Sequence, residues 1–197
     1  MLTRNPLGEI KRRTDLLERM KRCSFCAVAL LCLVITGFAG AHADEASCGG
    51  GPSSSFRLGG EVQNPKTINL QELSGLPNQT TVQDAYFGAG GMHKGEFTGV
   101  LLWDLLNSAG VITNPNIKND LFRKYVLVTG SNCYQQLFSL GELAPSIGGS
   151  HQVTVAYKEN GRLLTTDGFA RLVAPSDKEG ARHVSNIIRI EVFGTKD

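Results

Sequence analysis

RLVAPSDKEGARHVSNIIRIEV, Arg171 to Val192, is the most informative segment of the chain. Its ends are apolar and β-branched, which predicts strands over Arg171–Ala174 and Ile187–Phe193. Asp177-Lys178-Glu179-Gly180 between them predicts a turn that projects charge. Arg171 and Arg182 are flanked by apolar strand residues. Such a guanidinium either faces an anion, which it binds bidentately, or lies at a solvated edge. Lys178, at the turn itself, reads as solvated.

Outward from that segment, the chain shows many short strands and few helices. Phe56–Val62 alternates apolar and polar residues and predicts a strand; Asn64-Pro65 makes a turn, and Leu70–Leu76 suits a short helix. Thr80–Phe87 predicts a strand that ends in a glycine-rich turn, Gly88 to Gly91. Val100–Ala109 has a wide apolar face (Val100, Trp103, Leu106, with Leu101, Leu102 and Leu105 beside it) and predicts a helix stopped by Gly110. Tyr125–Thr129 and Gln135–Leu140 predict a hairpin turned at Ser131-Asn132. Val153–Tyr157 and Arg162–Leu164, joined through Asn160-Gly161, predict a second. Strands without strict βαβ alternation argue an α+β protein, with mixed β-sheets and a few short helices.

The N-terminus reads as a secretory signal over residues 1–43. Basic residues (Lys11, Arg12, Arg13, Lys21, Arg22) precede an apolar run from Phe25 to Ile35, then an Ala41-His42-Ala43 cleavage site. The run is well short of the roughly 18 apolar residues of a spanning helix, so no membrane anchor is expected after cleavage. Met20 heads a complete signal by itself, which leaves Met1 and Met20 as alternative starts. Residues 1–43 hold seven of the 20 Lys/Arg and three of the 18 Asp/Glu, so a net charge of +2 becomes 13 − 15 = −2. The basic character belongs to the leader, and nothing points to nucleic acid. The remaining 154 of 197 residues suffice for one domain with its own core. Residues 44–55 are Gly/Ser-rich and predict a flexible leader, with the domain over 56–193.

Three of the five cysteines leave with the signal, and Cys48 and Cys133 remain in an oxidising compartment. They either pair, closing a long loop worth about 4 kcal/mol, or leave Cys48 as a free thiol of the leader. His93 and His151 each stand alone, without ligands at metal spacing. The glycines of Gly88–Gly91 lack the Gly-Lys-Ser/Thr of a phosphate-binding loop, and no Ser-His-Asp or paired-carboxylate pattern is legible.

FTGVLLWDLL (Phe97 to Leu106), YQQLFSLGEL (Tyr134 to Leu143) and the Arg171–Val192 stretch resemble the molybdopterin-binding catalytic domain of sulfite oxidases and periplasmic methionine-sulfoxide reductases. The resemblance runs from Phe56 to Val192 and implies the sulfite-oxidase catalytic-domain fold. Members hold molybdenum through a cysteine thiolate shortly upstream of the FTGV stretch. Here no cysteine lies between Cys48 and Cys133, and the ligand position falls near Tyr86. A phenol, with a pKa of about 10, is a poor substitute for a thiolate; the other account is that Tyr86 and Phe87 plug the vacated cavity.

The resemblance further places Tyr134 at an active-site tyrosine, where it either donates to an anionic oxygen or is a strand tyrosine with its hydroxyl in water. Cys133 stands beside it where many small relatives have glycine. Arg171, Lys178, Arg182 and His183 fall in the segment that wraps the pterin and its phosphate. Where cofactor-binding relatives often read ARxVKW, this chain reads Ala181-Arg182-His183-Val184-Ser185-Asn186, with serine in place of the lysine. Export agrees: Arg12-Arg13 is followed by Asp15, which suits a Sec-type signal better than the twin-arginine route of pre-loaded enzymes. The implied protein is periplasmic or secreted. It binds a pterin-like or other anionic small molecule, or a periplasmic redox protein, through Arg171, Arg182 and Tyr134, without molybdenum. The alternatives are a molybdenum-cofactor-dependent oxidoreductase with an altered metal ligand, and a structural subunit of a redox complex.

Overall fold

A computed structural model of the chain describes residues 48–148, 152–175 and 177–195. The signal, both alternative starts and His151 lie outside the described residues. Among those described, no helix is long and apolar enough to cross a membrane.

Two five-stranded sheets carry the fold. In chain order the elements are β1 (Ser55–Gly60), β2 (Lys66–Asn69), α1 (Leu70–Gly75), β3 (Gln79–Gly88), β4 (Gly91–Leu101) and α2 (Leu102–Ala109). There follow β5 (Lys124–Gly130), β6 (Gln135–Ser139), α3 (Leu140–Leu143), β7 (Thr154–Glu159), β8 (Arg162–Leu163), β9 (Arg171–Val173) and β10 (Ile187–Gly194), with 3-10 turns at Asp120–Arg123 and Gly180–Arg182. The first sheet runs β2-β1-β10-β5-β6, and the second runs β3-β4-β7-β8 with β9 also on β7. β1 and β10 pair in parallel; the other ladders are antiparallel. The expected α+β class, with mixed sheets and short helices, is what the chain adopts.

Local chemistry accounts for the helices. Asn69 caps α1 reciprocally: its side chain accepts from Glu72 N at 3.0 Å, and the Glu72 carboxylate accepts from Asn69 N at 2.9 Å. α2 buries Leu102, Leu105, Leu106 and Ala109 among Phe56, Leu58, Val126, Val128, Phe138, Ile190 and Val192, and ends at Gly110. A smaller cluster (Val82, Phe97, Ala156, Val173) lies within the second sheet.

Three expectations are corrected. β4 was not foreseen: its Gly91, Gly95 and Gly99 weaken β propensity, but pairing with both β3 and β7 overrides it. Gly99 is required there, because a Cβ would stand 2.1 Å from the Val155 carbonyl oxygen. Val100 and Leu101 consequently belong to β4, and α2 starts at Leu102. The leader is tied down from Cys48 onward. Cys48 and Cys133 form a disulfide with Cα atoms 5.2 Å apart, so Cys48 is not a free thiol. Gly50 N donates to Ser131 O at 2.9 Å, and Phe169 N to Ser53 O at 3.1 Å.

Candidate cofactor cleft

β3 alternates, so Val82, Asp84 and Tyr86 point inward while Phe87 turns out. Tyr86 is buried, and its ring is enclosed on several sides. His93, its cross-strand partner, stacks at 5.3 Å, and His183 meets the ring edge-on at 4.2 Å. Gly180 lies against the ring so closely that a Cβ would come within 2.6 Å of Tyr86 Cδ2. The covering segment is held by the backbone, Phe87 N donating to Lys178 O at 2.9 Å. Phe87 is 54% exposed and fills no interior space, which corrects that part of the expectation, whereas Tyr86 is buried.

The Tyr86 hydroxyl accepts from Arg171 Nη2 at 2.6 Å. Arg171 Nη1 donates to Asp167 at 2.9 Å, and Nη2 also lies 3.3 Å from His183 Nδ1. The guanidinium carbon sits 5.7 Å over the Phe97 ring. Arg171 Nε is buried without a hydrogen-bond partner among the described residues. His183 Nε2 approaches Asp84 Oδ2 at 3.1 Å, both side chains nearly inaccessible to water. The pKa of His183 is pushed down to about 4, first by burial and then by the Arg171 guanidinium. The Ala174 backbone and the Asp177 carboxylate favour the imidazolium, but burial and the cation act the other way. A neutral ring fits the contact with Arg171, since Nδ1 faces a guanidinium donor.

Arg182 and Tyr134 lie in an adjoining cluster. Arg182 Nε and Nη2 donate bidentately to Asp177 at 2.7 and 2.8 Å, and Nη1 donates to Glu142 at 2.6 Å. Its plane covers Phe138 at 4.9 Å. Hydrogen bonding to Asp177, then to Glu142, raises the already high guanidinium pKa. The Tyr134 hydroxyl donates to the Ala181 carbonyl and accepts from Gln136 Nε2 at 2.9 Å. Of the five expected site residues, the structure therefore brings Tyr86, Arg171 and His183 into contact, with Tyr134 and Arg182 alongside. Each of the five hydrogen-bonds or ion-pairs with a partner in the chain itself, Tyr134 at the surface. Sequence reasoning passed over Asp84, Glu142 and Asp167. Asp84 had a visible signal, as an acidic residue on the inward face of an alternating strand.

Over residues 52–197 the chain matches the oxidoreductase molybdopterin binding domain, and it belongs to that family. Among solved structures it is similar to the sulfane dehydrogenase SoxCD of Paracoccus pantotrophus, with a TM-score of 0.57 and 23% identity. That likeness covers 72% of this chain and 38% of the other, so the chain spans well under half of the larger protein. It establishes a shared fold. A search of the curated proteins finds no match.

The family implies a molybdopterin cofactor, and the residues present do not fit a metal held by a protein thiolate. Near the ligand position stands a phenol already bonded to Arg171. Cys133 is consumed in the disulfide. Among the described residues, no three His, Cys, Asp or Glu side chains form a metal site. In the segment that the resemblance sets against the cofactor's phosphate, Ser185 stands where relatives often have lysine, and Arg182 is paired with two carboxylates.

Proposed function

We infer that this protein is a secreted binding module of the molybdopterin-binding oxidoreductase family that works without molybdenum–thiolate chemistry. The observation that carries this is Tyr86, standing near the family's ligand position with its hydroxyl tied to Arg171 at 2.6 Å. Of the ligands expected from the sequence, a periplasmic redox protein fits better than a small anion. An anion at Arg182 must first displace Asp177 and Glu142, and one at Arg171 must displace Asp167 and Tyr86. A protein partner needs no such rearrangement. Phe87 and Met92, paired across the β3–β4 ladder and each about half exposed, offer it an apolar contact beside the closed cleft.

The test is molybdenum by elemental analysis, with pterin fluorescence after oxidative release, on mature protein from its native source. Neither should be present in stoichiometric amount. Stoichiometric metal with pterin overturns this reading in favour of an oxidoreductase with an altered ligand. Pterin alone restores the small-ligand module.

A further inference from the structure

We propose that the Cys48–Cys133 disulfide is an exchange site for a dithiol oxidoreductase of the thioredoxin class, whose action frees the Gly130–Tyr134 loop from the segment that closes the cleft. The inference rests on the reading that Tyr86 closes the cleft, and not on what the protein binds. Three observations lead to it.

The first is access. Cys133 is exposed and Cys48 half-buried. Disulfides that staple secreted domains resist reduction, whereas exposed ones exchange readily. The second is backbone conformation. Cys133 holds a left-handed φ of 64°, which a β-carbon disfavours and glycine adopts freely. A purely structural turn is best served by glycine here, yet the position carries a thiol. Nor does the domain need a staple, since two five-stranded sheets already enclose a continuous apolar core.

The third is wiring. The leader lies on the loop through Gly50 N to Ser131 O at 2.9 Å and Ser131 Oγ to Gly51 O at 2.7 Å. The same loop grips the cleft-closing segment. Ser131 N donates to Asn186 O at 2.9 Å, and Tyr134, next to Cys133, donates its hydroxyl to Ala181 O. His183 N closes the short turn onto Gly180 O at 3.1 Å, directly over Tyr86. Cys133 is thus two short steps from the plug.

In the exchange, a partner thiolate attacks Sγ of Cys133, the more exposed residue of the pair, and forms a mixed disulfide. Cys48 leaves as a thiolate and takes a proton from water. The partner's second thiol, deprotonated, then attacks the mixed disulfide and releases Cys133, which is protonated in turn. This chain gains two electrons and two protons, and the partner departs as its own disulfide.

The experiment uses the mature protein in native buffer at neutral pH. The probe is a thioredoxin-type dithiol protein whose resolving cysteine is replaced by serine, and the adduct is mapped by peptide mass. The adduct is expected on Cys133. Reduction by the intact dithiol protein is then followed by hydrogen exchange. The Ser131, His183 and Phe87 amides should exchange about tenfold faster or more, while Val126 and Ile190 keep their protection. No adduct, an adduct on Cys48, or unchanged exchange at His183 and Phe87 overturns the proposal. A Cys48→Ser/Cys133→Gly double variant should fold and show the fast pattern without reductant. Loss of Val126 and Ile190 protection in that variant would make the disulfide structural and likewise overturn it.

Discussion

Tyr86→Phe removes one oxygen atom and leaves the plug's shape intact. Arg171 Nη2 then loses its 2.6 Å acceptor and keeps only the 3.3 Å contact with His183 Nδ1. The Arg171 side chain is 13% exposed and its Nε already lacks a partner, so water repairs little of the loss. A hydrogen bond to a charged group contributes about 1.5–3 kcal/mol, and we expect a destabilisation in that range. In a domain of this size that lowers Tm by roughly 3–12 °C. Equilibrium unfolding in urea, without reductant, should show a lower midpoint at an unchanged m-value. Phe87→Ala, one residue along but outward-facing, should stay within about 0.5 kcal/mol of the parent. A Tyr86→Phe loss no larger than that control refutes the reasoning: the hydroxyl would then be free for a metal or ligand, and the cleft would not be self-sealed.

The pH dependence follows from His183, whose pKa falls from 6.5 unfolded to about 4 folded. Between those values the unfolded chain binds more protons, so this histidine's contribution to stability is complete above the higher value and is lost progressively down to the lower. His183→Gln should flatten that slope in urea midpoints measured across the window; an unchanged slope would assign it elsewhere. Arg182→Ala should lower stability by about 1–2 kcal/mol, because Asp177 and Glu142 lose their shared partner. Calorimetric titration with inorganic phosphate should show no affinity in either parent or variant, and a parental site abolished by the change would restore the anion-binding account.

Most strands were legible because their signals are local: alternation in Phe56–Val62, the Asn160-Gly161 turn, and β-branched runs at Tyr125 and Ile187. β4 was not, since three glycines mask a strand that exists through its two neighbours. The site was half legible. The resemblance named Tyr86, Tyr134, Arg171, Arg182 and His183, and three of them (Tyr86, Arg171 and His183) meet. What each arginine faces was hidden, because Glu142 reaches Arg182 across 40 residues and Tyr86 reaches Arg171 across 85. A guanidinium beside apolar residues looks alike from sequence whether an anion or the chain's own carboxylate answers it. The disulfide was equally open, as two cysteines 85 positions apart carry no geometry.

The parallel pairing of β1 with β10 bears on how the chain assembles. Arg57 faces Arg189, 132 positions later, and β10 sits between β1 and β5. The last strand is therefore a keystone. Until it arrives, β1 and β5 present two unsatisfied edges lined by Leu58, Val126 and Val128, so an interrupted chain exposes sticky β surface. High contact order of this kind makes folding slow and keeps that vulnerable interval long. The protein's hazard lies in its synthesis: shielding is needed until β10 slots in, after which the same strand locks both flanks at once.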